Sequence, residues 1–148
     1  MSLDVYLTLA KPIKRKSRIY VRKDGQNKEI TREEWDLEHP NEEPYVVPES
    51  LDYEVFSANI THNLGRMASE CPGLYEALWH PNENGYSTAE QLIPFLEEGL
   101  RILKSQPVFF EQFNPENGWG TYEGLVSFVE EYLAACKQYP EATVSIWI

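Results

Sequence analysis

The alternation of apolar and polar residues at both ends of the chain constrains the fold more than any other feature. Every second residue is apolar in two terminal segments, at Leu3, Val5, Leu7, Leu9 and at Val144, Ile146, Ile148. A period of two is typical of a strand with one buried face. A third strand is predicted over residues 53–59. We therefore expect one small, mostly antiparallel sheet that contains both terminal strands.

Between the third strand and the last one, apolar residues recur at helical spacing instead. The clearest pattern runs from Leu125 to Cys136, in steps of three and four. Thr61 is suited to cap a first helix, and Ser87 with Glu90 predicts a capping box at the start of another. Three to four helices packed with a small sheet indicate the α+β class.

A charged segment over residues 11–50 separates the first strand from the third strand. Lys and Arg concentrate in its first part, whereas residues 33–54 carry nine acids and no Lys or Arg. Asp24-Gly25 predicts a two-residue hairpin turn, because both residue types tolerate positive φ. The Pro-rich residues 39–48 then predict an extended loop. We expect a single domain over residues 1–148, with 11–50 as a charged hairpin and loop insertion.

Composition narrows the class of protein. A net charge of −11 argues against direct binding to a nucleic-acid backbone, although it is compatible with an inhibitor that imitates nucleic acid. No apolar run approaches the length of about 20 residues that a bilayer requires, so no membrane contact is expected. Cys71 and Cys136 fall on apolar helix positions and are expected to be reduced and buried. These features predict a cytoplasmic location.

Two short polar segments directly before predicted helices are the candidate functional surface. Their amides, imidazole, hydroxyls and aromatic rings suit a polar or nucleotide-like ligand, with rings that stack and amides that bond its edge. We predict the following ligand-binding residues: Asn59, Thr61, His62, Asn63, Asn114, Asn117, Trp119, Thr121 and Tyr122. Each of these types also caps turns or packs a loop, so the pattern alone leaves a structural role open.

No reaction-defining motif occurs in the chain. It lacks a Gly-x-Ser-x-Gly elbow, a phosphate-binding glycine loop and a His-Glu-x-x-His sequence. Three histidines with no nearby Cys or Asp pattern predict no metal site, and nothing indicates a cofactor. We therefore predict no catalytic residues. The absence of these motifs favours a protein that is not an enzyme.

The segments Ser57-Ala58-Asn59-Ile60-Thr61-His62-Asn63-Leu64-Gly65-Arg66-Met67-Ala68 and Asn117-Gly118-Trp119-Gly120-Thr121-Tyr122 carry a resemblance. In them the chain resembles a family of small, uncharacterised bacterial and phage proteins. The likeness also covers the first strand and the residues after about 52. It implies no particular activity. The charged segment 11–50 looks longer than the family pattern.

Three functions remain open from the sequence. The first is a non-enzymatic binding protein, such as a phage-encoded accessory factor in the host cytoplasm, with a small polar or nucleotide-like ligand. The second is an acidic inhibitor, a nucleic-acid mimic or anti-defence (anti-CRISPR-type) factor, that binds a protein partner through residues 11–54, including Glu42, Glu43 and Glu49. The third is a small hydrolase or transferase with His62 as general base.

Overall fold

The computed structural model describes residues 1–12, 19–42 and 50–148. These residues form five strands and six α-helices, with short 3₁₀ turns at His62–Leu64 and Asn82–Asn84. The strands are β1 (Ser2–Pro12), β2 (Ile19–Lys23), β3 (Gln26–Ile30), β4 (Ser50–Thr61) and β5 (Thr143–Trp147). The helices are α1 (Arg32–Glu38), α2 (Gly65–Ser69), α3 (Leu74–Trp79), α4 (Ala89–Ser105), α5 (Pro107–Glu111) and α6 (Tyr122–Gln138). The predicted α+β class is confirmed.

The terminal strands are neighbours in a three-stranded sheet with the order β4-β1-β5. Strands β1 and β5 run antiparallel, from the pair Asp4 and Trp147 to the pair Thr8 and Thr143. The alternation fixes which face is buried, since the apolar set of β1 points toward the helices. Strand β4 continues to Thr61, beyond the predicted limit at residue 59. The first polar segment therefore begins within the last residues of this outer strand.

The core lies between one face of this sheet and the long helices. Helix α6 buries the predicted stripe, and its Tyr132 ring stacks on Phe56 of β4 with 5.7 Å between ring centroids. Helix α4 packs beside it through Leu92, Leu96 and Leu103, which are fully buried. Burial of such side chains stabilises the fold by about 1.5–3 kcal/mol each.

The start of helix α4 corrects one prediction from the sequence. The capping box is formed by Thr88 and Gln91, not by Ser87 and Glu90. The Gln91 Oε1 atom accepts from the backbone N–H of Thr88 at 3.1 Å and from that of Ser87 at 2.7 Å. Thr88 also forms an isolated bridge to Thr143 of β5, and the Ser87 carbonyl accepts from the backbone N–H of Val144 at 2.9 Å, so Ser87 takes part in this pairing.

Residues Ala10–Leu51 form a second compact unit, while Met1–Leu9 and Asp52–Ile148 form the first. The predicted hairpin pairs β2 with β3 around Asp24 and Gly25, whose φ angles of 53° and 77° fit a two-residue turn. Helix α1 follows, capped by Thr31, where the sequence predicted no helix. The end of the predicted loop 39–48 lies outside the described residues.

Helix length bears on membrane insertion. In the three described ranges, no helix is both long and apolar enough to cross a bilayer. The longest helices, α4 and α6, have 17 residues each and present charged faces to solvent.

Candidate functional site

The first polar segment begins where strand β4 ends. Asn59 is exposed and Ile60 is buried, as the strand period requires. Thr61 then caps a 3₁₀ turn, because its Oγ1 accepts from the backbone N–H of Asn63 at 3.3 Å. The backbone N–H of His62 donates to the carbonyl of Met1 at 3.4 Å, which ties this turn to the start of strand β1. The predicted cap at Thr61 is thus confirmed.

The second polar segment is a tight loop before helix α6. Its path uses positive φ at Gly118 (77°) and Gly120 (109°), which only glycine adopts readily. The Oδ1 atom of Asn117 accepts from the backbone N–H of Trp119 at 3.0 Å. This arrangement directs the indole of Trp119 outward, with 70% of its surface exposed.

The two polar segments meet, although 56 positions separate Asn63 from Trp119. The Asn63 amide Nδ2 donates to the carbonyl of Trp119 at 3.3 Å. Gly120 packs directly on the turn below it, so that a Cβ there would lie 2.8 Å from Thr61 Cγ2 and 3.0 Å from Leu64 Cγ. This close approach requires glycine and fixes the distance between the two segments.

An open groove of about 1150 Å³ lies where the two segments meet. It is bounded by the ends of the sheet strands, by the polar turn, by α2 and α3, and by the loop before α6. Its lining residues are Met1, Ser2, Asn59, Thr61, His62, Asn63, Gly65, Arg66, Ser69, Tyr75, Trp79, His80, Asn117, Trp119 and Ile148. Six of the nine residues predicted to bind a ligand are in this set.

The other three predicted residues, Asn114, Thr121 and Tyr122, are not among those that line the groove. Asn114 Oδ1 accepts from the backbone N–H of Tyr122 at 2.8 Å, and Thr121 Oγ1 accepts from that of Gly124 at 3.0 Å. The Tyr122 hydroxyl donates to the carbonyl of Leu103 at 2.6 Å in the core, and burial raises its pKa. These side chains cap and anchor helix α6.

One wall of the groove comes from helix α3 and was missed by the sequence analysis. Tyr75 and Trp79 stack with 5.3 Å between ring centroids, and the Tyr75 hydroxyl lies 3.4 Å from His80 Nε2. The i and i+4 spacing of the two rings was the available signal, since such pairs share one helix face. Pro72 and Gly73 separate α3 from α2, and Gly73 has a φ angle of 81°.

The His62 ring is held in one orientation by Trp79. The Trp79 indole Nε1–H donates to His62 Nδ1 at 2.8 Å. Because an indole nitrogen only donates, Nδ1 must be the acceptor, and the hydrogen of the neutral ring lies on Nε2. That Nε2 atom is buried and has no hydrogen-bond partner within the described part of the chain. His62 therefore keeps one N–H donor unused.

The groove is electrostatically unlike the rest of this acidic protein. Its lining set, drawn from the described residues, contains Arg66 and two histidines but no Asp or Glu side chain. The Arg66 guanidinium carbon lies 5.4 Å from the Phe113 ring centroid, and its Nε lies 3.5 Å from Glu70 Oε1. His80 Nδ1 lies 3.3 Å from Glu83 Oε2. The lining suits a neutral or anionic ligand.

The described residues contain no cluster of three or more His, Cys, Asp or Glu side chains that could hold a metal ion. Neither cysteine is among the residues that line the groove. Burial raises the pKa of Cys71 to about 11 and that of Cys136 to about 12, so both thiols are protonated at neutral pH.

The acidic residues predicted to bind a partner belong to the charged segment. Glu42 is exposed, and its backbone carbonyl accepts from the Trp35 indole at 2.8 Å. Glu43 and Glu49 lie outside the described residues. The predicted partner surface therefore stays a prediction.

No family model, curated protein or solved structure matches the chain. The resemblance carried by residues 57–68 and 117–122 stays a prediction. A functional assignment thus depends on the groove: its size, its aromatic rings, its amides and its charge.

Proposed function

We propose that this protein is a non-enzymatic binding protein whose groove holds a small polar, nucleotide-like ligand. One observation carries the proposal. Two polar segments far apart in the sequence line the same groove, and the loop between Asn117 and Gly120 presents an exposed indole at its edge. A large exposed aromatic ring beside amides can stack on a planar polar ligand while the amides form hydrogen bonds with its edge.

The dimensions and the aromatic rings support a ligand of this class. Pockets for small molecules and cofactors have volumes of about 300–1000 Å³, and this open groove is slightly larger. Stacking of a base on an aromatic ring contributes about 1–3 kcal/mol. Trp119 provides such a ring at the edge of the groove, and the stacked rings of Tyr75 and Trp79 form one of its walls.

The amides of the groove have defined orientations. The Nδ2 atoms of Asn59 and Asn63 donate to Asp4 Oδ1 at 2.5 Å and to the Trp119 carbonyl at 3.3 Å. Their Oδ1 atoms are left to accept. Asn117 has the opposite arrangement, since its Oδ1 is used and its Nδ2 can donate. Acceptors and donors of fixed orientation suit the edge of a heterocyclic base.

The contacts of the His62 ring argue against a role as general base. A general base needs an unprotonated nitrogen within reach of the substrate, but His62 Nδ1 already accepts from Trp79. The buried, protonated thiols do not offer a nucleophile. His62 thus has no exposed unprotonated nitrogen with which to abstract a proton.

A thermal-shift screen against nucleosides, nucleotides and sugar phosphates tests the proposal. A ligand at 100 times its Kd adds about 2.7 kcal/mol of stability. The Trp119→Ala variant should lose this shift, since it keeps the backbone atoms that bond Asn117 and Asn63 but removes the ring.

Trp147→Ala is the matched control. Trp147 is also 70% exposed but does not line the groove, so its variant should keep the shift. An equal loss in both variants, or no shift with any compound, would contradict the proposal.

We also propose, as the second candidate, an acidic inhibitor that acts through the charged segment. The favouring observation is that helix α1 buries none of its residues and exposes Glu33, Glu34 and Leu37. Exposed carboxylates along one short helix suit a positively charged surface of a protein partner. Reversal of Glu42, Glu43 and Glu49 to Lys should abolish inhibition of a partner and leave ligand binding in the groove intact.

A further inference from the structure

We propose that the groove binds nucleoside phosphates in preference to nucleosides, with Arg66 contacting the phosphate while Trp119 stacks on the base. The inference rests on the proposed function and names its ligand class. Both side chains line the same groove, and Arg66 is the lining residue with a permanent positive charge.

The Arg66 side chain is held in place by two contacts that leave some of its N–H donors unused. A guanidinium has five N–H donors in a planar fork. Its Nε faces Glu70, and its central carbon lies over the Phe113 ring, so the side chain is supported on two sides. Within the described residues, these are the contacts of the Arg66 guanidinium. The two terminal amino groups are thus available for the paired oxygens of a phosphate.

The contact with Glu70 does not prevent this role. At 3.5 Å, with the Arg66 side chain 72% exposed, the ion pair is weak and screened by solvent. A phosphate ester carries up to two negative charges and three acceptor oxygens. It therefore competes well for the amino groups while Glu70 keeps the Nε end in position.

One other free group of the lining points to the same ligand class. Asn117 Nδ2 is a donor with no hydrogen-bond partner among the described residues, and acceptor oxygens are abundant on nucleoside phosphates. In a chain of net charge −11, the described lining contains no Asp or Glu side chain, and the carboxylates of Glu70 and Glu83 beside it lie 3.5 Å from Arg66 and 3.3 Å from His80.

Isothermal titration with the four common nucleosides and their 5′-monophosphates, as matched pairs, tests the inference. For at least one pair we expect the monophosphate to bind about tenfold or more tightly than the nucleoside. Arg66→Gln should reduce the monophosphate affinity to that of the nucleoside and leave the nucleoside affinity unchanged. Trp119→Ala should weaken both ligands by the same factor.

Two further variants sharpen the result. Arg101→Gln is the matched control, because Arg101 is 67% exposed, pairs with Glu98 and does not line the groove. It should leave both affinities unchanged. Arg66→Lys keeps the charge but loses the planar fork, so it should retain part of the preference.

The outcomes separate this inference from the proposed function. Equal affinity for nucleoside and monophosphate in the wild type, or an equal loss of both in Arg66→Gln, overturns the role of Arg66 and leaves nucleotide-like binding standing. The same loss in Arg101→Gln overturns it as well, because a long-range charge effect would then suffice. Absence of binding by all eight compounds overturns the proposed function and this inference together.

Discussion

The contact between Gly120 and the polar turn below it gives the sharpest prediction of the structure. A methyl group at Gly120 would lie 2.8 Å from Thr61 Cγ2 and 3.0 Å from Leu64 Cγ, closer than Cβ atoms ordinarily approach. Leu64 is buried and cannot move aside freely. Gly120→Ala should therefore separate the two segments that line the groove.

The expected loss of stability has two parts. An L residue at positive φ costs about 1–2 kcal/mol, and overpacking against buried groups costs about 1–3 kcal/mol more. The sum for Gly120→Ala is about 2–5 kcal/mol. Gly118 separates these parts, since it also has positive φ but a methyl group there would have no atom within 4 Å. Gly118→Ala should cost only the first part.

Urea denaturation of the wild type and both variants measures the difference. We expect the urea midpoints to fall in the order wild type, Gly118→Ala, Gly120→Ala. The free energies of unfolding of the two variants should differ by at least about 1 kcal/mol. Equal losses would refute the reasoning, because the close approach to Thr61 and Leu64 would then have no energetic weight. A Gly120→Ala variant as stable as the wild type would refute it altogether.

Three further predictions concern single groups. Tyr132→Phe should leave stability unchanged or raise it in thermal unfolding, because the buried hydroxyl has no partner among the described residues; a loss above about 1 kcal/mol would mean that the hydroxyl does have a partner. Burial raises the pKa of Cys71 from 9.0 to about 11 and that of Cys136 to about 12. The contribution of the two protonated thiols to stability is thus fully present below pH 9 and is lost as the pH rises toward 11 and 12, because the thiols of the unfolded chain ionise first. Urea midpoints should therefore fall from about pH 8 to about pH 11, and constant midpoints would contradict this. Thr121→Ala should cost about 1 kcal/mol as a lost N-cap of α6, and unchanged helix stability by circular dichroism and urea would oppose it.

Much of the fold follows from local patterns in the sequence. The period of two predicted β1 and β5, helical spacing predicted α6, and Asp24-Gly25 predicted the hairpin. Each of these depends on neighbours along the chain, where side-chain direction repeats at a fixed interval. Helices α1 and α5 were not predicted, because their apolar residues do not recur at helical spacing: α1 has Trp35 and Leu37, and α5 has the consecutive residues Val108, Phe109 and Phe110.

The site was predicted only in part, for a different physical reason. Amides and hydroxyls before a helix have the same appearance whether they cap it or face a ligand. Asn114 and Thr121 cap α6, whereas Asn63 and Asn117 line the groove. The groove forms where two segments that are distant in sequence meet at Gly120, and the local sequence does not show this contact. The aromatic wall from helix α3 depends on which face of that helix meets the turn, which local periodicity does not specify.

The strand order β4-β1-β5 has a consequence for the charged segment. Strand β1 ends at Pro12, and its neighbour β4 begins at Ser50. An excursion of about 40 residues between adjacent strands costs only about 2 kcal/mol more closure entropy than a loop of about five residues. The pairing of β1 with β4 therefore depends little on the length of the segment between them, so that shortening this segment should leave the three-stranded sheet in place.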